Sequence, residues 1–293
     1  MTRGPVVILG GSGFLGRRLE AELARRGRRV VSPGSRTLDL TRPEAVEALA
    51  AVAGEDATLV MAAALTPDKG QTLATFETNV AMASTVARFL QAHRVQRCVH
   101  VGSDAAYGFE FDPVTEATPV APGGYYAMGK YVAEKLIEYA GAAAGIGVLS
   151  LRPAGIYGPG DPHGSYGPNS FARTLAAKRM VRMFGAGEER RDHIHVDDVA
   201  RVIAACLETD LAGVLNVATG ESRSFGEVVD IIKGLVPYEI AIESAPRRGA
   251  ITHRHYDIRR LREALPDLRF TPLADGLRGT LAAFNALGDS EAR

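Results

Sequence analysis

A glycine-rich turn near the N-terminus constrains this chain more than any other feature. The apolar run Val6–Leu9 is typical of a buried strand, and it leads through the turn into residues 14–26, which have the apolar spacing of a helix. Glycines in such a unit permit a tight turn, let the backbone approach a pyrophosphate, and allow close packing of helix on strand. The first N–H groups of the helix then face the phosphates. The pattern predicts dinucleotide binding at Gly10, Gly13, Phe14, Leu15 and Gly16.

Strand-like and helix-like segments alternate through the first half of the chain. The strand-like runs at 58–61, 98–101 and 148–151 are separated by helical patterns at 43–52, 73–92 and 126–143. This rhythm indicates βαβ units and a parallel sheet that is covered on both faces. We therefore predict an α/β fold, a doubly wound parallel sheet (Rossmann), with a smaller C-terminal substrate-binding lobe. The predicted dinucleotide-binding domain comprises 1–154 and 191–218, and the lobe comprises 155–190 and 219–293.

Composition excludes several classes of protein. Lys+Arg and Asp+Glu both total 34, so the net charge is zero, which argues against a nucleic-acid partner. No run of about 18 apolar residues is present, so no membrane-spanning helix is expected, and the apolar run before Gly10 is too short for a signal peptide. Cys98 and Cys206 are far apart in apolar surroundings and are interpreted as buried free thiols of a cytoplasmic protein.

The residues after the second strand bear on which dinucleotide is bound. A cofactor without a 2′-phosphate prefers an acidic residue roughly 20 residues after the glycine turn. Here Val30-Val31 is followed by residues 32–36, which contain no acid but end in Ser35 and Arg36. An arginine offers paired donors to a phosphate. We therefore predict NADP or NAD as cofactor, with NADP favoured through Arg36; an ordinary solvated arginine is the alternative.

A tyrosine and a lysine four residues apart are candidates for acid–base chemistry. Tyr126 and Lys130 lie on one face of a predicted helix, and a nearby ammonium would lower the tyrosine pKa from about 10. The phenol would then serve as an acid or base. Tyr131 and Lys135 have the same spacing, so spacing alone does not choose between the pairs. Ser103 follows a strand at the expected carboxyl edge of the sheet, where its hydroxyl can hydrogen-bond a substrate oxygen.

Taken together, these segments resemble the extended short-chain dehydrogenase/reductase family, in particular its NAD(P)-dependent sugar-nucleotide epimerase/dehydratase group. The resemblance spans most of the chain, and its order and spacing are specific. It rests on the glycine turn, Asp39-Leu40, Ala62-Ala63-Ala64, Asn79-Val80, the Ser103 segment, Tyr126-x-x-x-Lys130 with Glu134, Arg152-Pro153, and the segments 157–160, 191–200 and 216–220. The family pattern places a glutamate four residues after the catalytic lysine; Glu134 matches it, so the resemblance selects Tyr126 and Lys130.

The resemblance implies roles for individual residues. Tyr126 would move a proton, Lys130 would also hold the nicotinamide ribose, and Ser103 would orient the substrate oxygen. Further cofactor contacts are implied for Asp39, Leu40, Ala62, Ala63, Ala64, Asn79 and Pro153. Family members commonly dimerise through two long helices, here about 73–92 and 126–143, so a homodimer is expected.

This sequence departs from the family pattern at three places. Leu9 stands where a threonine is usual, and the acid expected at about Gly34 is absent. In the nucleotide-sugar 4,6-dehydratases an Asp-Glu pair follows the serine or threonine and supplies acid and base. Here Asp104 is followed by Ala105, which argues against water elimination. Asp104 is therefore interpreted as a structural or substrate-binding carboxylate.

The predicted lobe contains candidate substrate contacts. Arg191 and the pair Arg247-Arg248 match positions that often hold the diphosphate of a nucleotide sugar, and Asn169 is a further candidate. Surface salt bridges are the alternative interpretation of these arginines. Two histidine pairs, 193/195 and 253/255, lack a third ligand at suitable spacing, so no metal site is predicted.

Three functions follow from these predictions. The first is an NAD(P)-dependent epimerase or reductase that acts on a nucleotide-linked sugar by hydride transfer. The second is a reductase or dehydrogenase of a carbonyl compound without a nucleotide. The third is an NADP-binding regulator without turnover, which the complete set of Ser103, Tyr126 and Lys130 disfavours.

Overall fold

The computed structural model describes residues 4–247 and 249–291, with side chains to residue 284. The strands are β1 (Val6–Leu9), β2 (Val30–Val31), β3 (Thr58–Met61), β4 (Arg97–Val101), β5 (Gly147–Pro153), β6 (Gly155–Tyr157), β7 (Met180–Phe184), β8 (Arg190–His195), β9 (Gly213–Val217), β10 (Ser222–Ser224) and β11 (Ala241–Ala245). The α-helices are α1 (Phe14–Arg25), α2 (Ala45–Ala53), α3 (Leu73–Ala92), α4 (Tyr125–Ala144), α5 (Pro168–Lys178), α6 (Val196–Cys206), α7 (Phe225–Lys233), α8 (Arg259–Ala264) and α9 (Leu273–Glu291).

Six parallel strands form the main sheet in the order β2-β1-β3-β4-β5-β9. The strands β1 and β3 are buried along their whole length, as expected for a parallel sheet with both faces covered. The strand order reverses between β1 and β3, and ligands of such sheets bind in the crevice that opens at the carboxyl ends of the strands there. The glycine turn and the loop after β3 therefore border the same crevice.

Helices cover both faces of this sheet. On one face α1 packs against α6, and their apolar side chains, with Cys206, join the core around β1 and β5. On the other face α2, α3 and α4 form a second apolar layer that includes Cys98. Both cysteines are buried free thiols, as predicted. The helix α3 begins at Leu73 because the hydroxyl of Thr72 accepts a hydrogen bond from the N–H of Thr75, in a capping box.

The remaining strands lie outside the main sheet. β8 pairs with β6 and β10 in a three-stranded sheet, and β11 pairs with β7. A third apolar cluster, which includes Phe171, Phe225 and Leu277, joins α5, α7 and α9 to these strands. The predicted domain division remains a prediction; the strand pairing shows that residues 191–195, which it grouped with the dinucleotide-binding domain, belong to β8 and pair outside the main sheet.

The predicted α/β doubly wound parallel sheet is confirmed. One local prediction is wrong: the helix predicted from residue 43 begins only at Ala45, and residues 43–44 before it form a turn. Among the described residues, no helix has the length and apolar character needed to span a membrane. In the same described residues, no group of three or more His, Cys, Asp or Glu side chains could hold a metal ion.

Candidate active site

The glycine turn is built for close backbone approach. Gly10 has a φ of +91°, and a Cβ there would lie 2.7 Å from the backbone nitrogen of Ala63 in the loop after β3. Gly13 is the N-cap residue of α1 and contributes no side-chain capping bond, so the first N–H groups of the helix keep their donor capacity. These features fit the pyrophosphate of a dinucleotide, which the helix N-terminus would hold.

Replacing Gly16 is expected to abolish NAD(P) binding. A Cβ at Gly16 would lie 2.2 Å from the carbonyl oxygen of Gly10 and 2.6 Å from the Cα of Gly11, so G16A must move the turn. We expect a loss of about 1–3 kcal/mol of stability and no cofactor binding measurable by calorimetry. G279A is the control, because a Cβ at Gly279 in α9 meets nothing within 4 Å. Wild-type cofactor affinity in G16A would contradict this account of the turn.

The loop after β3 is held opposite the glycine turn. The buried Asn79 of α3 accepts a hydrogen bond from the N–H of Leu65 at 2.7 Å and donates to its carbonyl at 3.0 Å. The N–H of Ala62 donates to the carbonyl of Leu9 at 2.9 Å. Asn79 therefore fixes the loop that contains the predicted contacts Ala62, Ala63 and Ala64. Direct contact of Asn79, or of Pro153 at the end of β5, with the cofactor remains a prediction.

The segment after β2 forms a polar cavity of about 440 Å³. Ser35, Arg36, Asp39 and Arg42 line it. Hydrogen bonds from Thr41, followed by Arg42, lower the pKa of the Asp39 carboxyl. Arg36 is exposed and forms no ion pair with another described residue, so its guanidinium has capacity for a phosphate. Leu40, in contrast, is buried in the apolar layer around α2. The predicted contacts of these residues remain predictions.

Three candidate catalytic residues meet at the carboxyl end of β4. Ser103 follows this strand, and Tyr126 lies in the first turn of α4, close enough for the serine hydroxyl to affect the pKa of its phenol. Burial raises the pKa of Tyr126 to about 12, and the charge of Asp104 adds to the rise, whereas Ser103 opposes it. The buried Lys130 donates to the carbonyl of Val101. Burial lowers the pKa of Lys130 to about 8, whereas the negative charge of Glu134 acts to raise it.

The expected effect of Lys130 on Tyr126 is wrong for this structure. The pKa of the phenol is raised rather than lowered, because burial dominates and the ammonium of Lys130 donates to a backbone carbonyl. Tyr126 is therefore protonated near neutral pH and is in the form of a proton donor. The spatial grouping of Ser103, Tyr126 and Lys130 agrees with the predicted set, while their catalytic roles remain predictions.

A buried ion pair stands behind Lys130. Glu134 accepts two hydrogen bonds from Arg152, at 2.9 and 2.6 Å, and their side chains are 1% and 3% exposed. The guanidinium of Arg152 also stacks on the ring of Tyr107, whose hydroxyl donates to Asn216 at 2.8 Å. Glu134 thus joins α4 to β5, and its negative charge favours the protonated form of Lys130.

A cavity of about 710 Å³ adjoins this group on the side of the lobe. It reaches Asp104, the residue after Ser103, and the predicted substrate contacts Asn169, Arg191 and Arg247 line it. Of the described carboxylates, none forms an ion pair with Arg191, whose guanidinium donates to the carbonyl and hydroxyl oxygens of Thr252 at 2.7 and 2.9 Å. Arg191 is thus a cation available to an anionic ligand.

The other two predicted contacts have partners within the protein. Arg247 forms ion pairs with both Glu188 and Glu189, and these hydrogen bonds raise its pKa further above the usual range. Asn169 is buried, accepts from the N–H of Gly158 at 3.1 Å and donates to Asp161 at 2.6 Å. Arg191 is therefore the better placed residue for a diphosphate. Arg248 lies outside the described residues.

Sequence reasoning missed two residues beside Asp104. The hydroxyl of Tyr256 donates to the Asp104 carboxylate at 2.5 Å, and the guanidinium of Arg254 donates to the same oxygen at 3.2 Å. Both residues are buried and line the cavity. They are some 150 positions away in the chain, and no local pattern links such distant residues, so the sequence contained no signal for this contact.

Comparison with known proteins decides the family. A sequence model described as the NAD dependent epimerase/dehydratase family matches residues 6–218. The chain belongs to this family. As an epimerase/dehydratase family member, it is similar to the UDP-glucose 4-epimerase of Mycolicibacterium smegmatis, with 32% identity over 71% of this chain and 69% of that protein. The match to a relative of the same name from Corynebacterium glutamicum has 29% identity and spans 58% of this chain and 57% of that protein.

Solved structures share the fold of this chain. MoeE5 in complex with UDP-glucose and NAD has 26% identity, a TM-score of 0.81, and coverage of 97% of this chain and 99% of that chain. RMD from Pseudomonas aeruginosa, complexed with NADPH, has 22% identity, a TM-score of 0.86, and coverage of 97% and 99%. The predicted extended short-chain dehydrogenase/reductase type, an NAD(P)-dependent enzyme, is confirmed at the level of the family, and the preference for NADP remains a prediction.

Proposed function

We propose that this family member is an NAD(P)-dependent epimerase or reductase of a nucleotide-linked sugar, in which Tyr126 is the proton donor and acceptor. The observation that carries the proposal is the cavity that extends from Arg191, a cation without a carboxylate partner among the described residues, to Asp104 beside Ser103 and Tyr126. A sugar diphosphate anchored at Arg191 would place its sugar toward these hydroxyls. The names of the relatives from M. smegmatis and C. glutamicum support the same substrate class.

Tyr126, Ser103 and Lys130 would have different roles in the reaction. NAD(P), when bound in the crevice, supplies the acceptor or donor of the hydride. Tyr126, with a pKa of about 12, holds its proton near neutral pH and is ready to donate it to a sugar carbonyl oxygen during reduction. Ser103 orients that oxygen. Lys130, with a pKa of about 8, stays largely protonated at neutral pH and would hold the nicotinamide ribose.

A substrate assay tests the proposal directly. The purified protein is incubated with UDP-glucose or UDP-galactose and NAD(P), and the products are separated by chromatography. Interconversion without net change of the cofactor would identify an epimerase, whereas stoichiometric loss of added NADPH with a 4-keto nucleotide sugar would identify a reductase. Turnover of carbonyl compounds without a nucleotide, unaffected by R191A, would favour the second function. Turnover of neither class would favour a regulator and contradict the proposal.

The cofactor preference is tested at Arg36. We propose that NADP is favoured, because Arg36 and Arg42 line a polar cavity in which no acidic residue follows β2 until Asp39. R36A is expected to weaken NADP binding about 10- to 100-fold, the loss expected when a hydrogen bond to a charged group is removed, and to leave NAD binding unchanged. Calorimetric titration of both cofactors measures this. Tighter binding of NAD by the wild-type protein, with no effect of R36A, would show the preference to be wrong.

We also propose a homodimer formed through α3 and α4. The two helices pack against each other on one face of the sheet, and Leu73, Tyr125 and Tyr139 on them are exposed, Tyr139 by 72%. A contiguous exposed apolar patch marks an interaction surface, and a second copy of the chain that packs on α3 and α4 would cover these side chains. Light scattering at micromolar concentration should give twice the chain mass of 31.1 kDa. A cytoplasmic location remains an expectation.

A further inference from the structure

The segment that contains Ser103 is held from outside the main sheet. Ser103 caps a short 3₁₀ turn over Asp104–Ala106, in which its hydroxyl accepts from the N–H of Ala105 at 3.1 Å. The Ser103 hydroxyl also donates to the Asp104 carboxylate at 3.4 Å, at the oxygen that does not accept from Arg254 and Tyr256. The position of Asp104 therefore bears directly on the orientation of the serine.

Arg254 satisfies the carbonyl groups of this turn. Its guanidinium donates to the carbonyl oxygens of Asp104 at 3.1 Å and Tyr107 at 3.2 Å, and also to that of Gly108. Together with its bond to the Asp104 carboxylate, this makes four contacts on one short segment. Arg254 is only 4% exposed, so these hydrogen bonds form away from bulk water and are stronger than those of a surface arginine.

The segment that contains Arg254 and Tyr256 is itself anchored independently of Asp104. The N–H of Val114 donates to the carbonyl of His255 at 2.8 Å, and the N–H of Asp257 donates to that of Val114 at 2.9 Å. The N–H of Arg254 donates to the carbonyl of Arg190 at 3.1 Å. This backbone pairing fixes the two side chains from behind, so removing a single hydroxyl from Tyr256 should leave the fold intact.

We propose that Arg254 and Tyr256 are positioning residues of the active site, which hold Asp104 and thereby keep the Ser103 hydroxyl in place beside Tyr126. The inference rests on the proposed function and extends it to residues that act through Ser103 rather than on the substrate. It also accounts for Asp104 itself: one oxygen of its carboxylate is already bound by an arginine and a phenol, which agrees with the interpretation of Asp104 as a structural carboxylate.

The arrangement also bears on the charge that Tyr126 experiences. Asp104 raises the pKa of Tyr126, and Arg254 and Arg191 are the cations that face the same carboxylate. Loss of a donor to Asp104 leaves more of its negative charge directed at the phenol. In the direction of sugar oxidation, where Tyr126 must accept a proton, the rate should then rise only at higher pH than in the wild-type enzyme.

The test uses Y256F, which removes one hydroxyl and preserves the ring. We expect kcat to fall about tenfold, as for a lost hydrogen bond to a charged group, with little change in the KM of the nucleotide sugar, and the pH profile of oxidation to shift upward. Y238F is the control, since Tyr238 packs against Arg179 and is not among the residues that line the cavity next to Asp104. R254K retains the charge but not the fork of donors and should lose activity in part.

A double variant separates positioning from a general structural role. If Tyr256 acts through Ser103, then S103A/Y256F should be no slower than S103A, because the serine hydroxyl to be positioned is gone. A full additional tenfold loss in the double variant, or a wild-type kcat in Y256F, would overturn this inference while the proposed function stands. A wild-type protein that turns over no nucleotide sugar would overturn the proposed function, and this inference with it.

Discussion

Replacement of Tyr126 by phenylalanine is expected to reduce turnover of the nucleotide sugar by about 10²- to 10⁴-fold, the usual contribution of a general acid–base residue. The phenol lies near Ser103 and is protonated near neutral pH, with a pKa of about 12. Removing its hydroxyl removes the proton that is passed to and from the sugar oxygen. Binding of NAD(P) and of the nucleotide sugar should change little, so kcat falls and KM stays near its wild-type value.

The chain contains its own control for this experiment. Tyr131 and Lys135 repeat the four-residue spacing five residues further along α4, and the ammonium of Lys135 lies 5.7 Å from the centre of the Tyr131 ring. Tyr131 is not among the residues that line the cavity next to Asp104. Y131F should therefore retain full activity. A Y126F variant as active as Y131F would rule out Tyr126 as the proton donor.

Replacement of Glu134 by glutamine is expected to lower the free energy of unfolding by about 3–5 kcal/mol, because the buried Arg152 loses its charged partner. Glu134 and Arg152 are almost fully buried, and their two hydrogen bonds join α4 to β5. Urea unfolding of E134Q measures the loss. The control is E138Q on the same helix: Glu138 pairs with Lys135 at the surface, and its side chain is 42% exposed, so its loss should cost no more than about 1 kcal/mol.

The same substitution should change the pH dependence of activity. Glu134 favours the charged form of Lys130, whose pKa burial lowers to about 8. Without that carboxylate the pKa should fall further, so the ammonium is lost at lower pH, and the alkaline limit of activity should move toward neutral pH in E134Q. E138Q should keep the wild-type profile. Equal stability losses in E134Q and E138Q, with identical pH profiles, would contradict the role assigned to the pair.

Sequence patterns predicted the parts of the fold that depend on local periodicity. The buried runs at Val6–Leu9 and Thr58–Met61 and the long helix Leu73–Ala92 have the predicted bounds. The two runs are too short for a helix and rich in β-branched residues, and the long segment has a length and spacing typical of a helix. The short strands Gly155–Tyr157, Ser222–Ser224 and Ala241–Ala245 were missed. The last of these is exposed at four of its five residues, so its pairing rather than its apolar pattern defines it.

The residues of the candidate site also fall into two groups: those that short motifs predict and those that only the folded structure brings together. Residues of the glycine turn, and Ser103, Tyr126 and Lys130, are found within short motifs, so their grouping could be predicted. Other contacts of the site join distant parts of the chain. They are the ion pairs of Arg247 and the hydrogen bonds from Arg254 and Tyr256 to Asp104. The raised pKa of Tyr126 was also not predictable, because burial depends on the packed structure and outweighs the spacing to Lys130.

The ends of the main sheet have a consequence for association between molecules. A strand at the border of a sheet offers unpaired N–H and C=O groups to another chain and is a common starting point of aggregation. Here one border is β2, with only two residues, which is too short a template for a further strand. The other border, β9, contacts α8, and Arg260 donates to the carbonyl of Ala212 just before it. Both borders are thereby poor templates for edge-to-edge polymerisation, a hazard that a parallel sheet of this width would otherwise present.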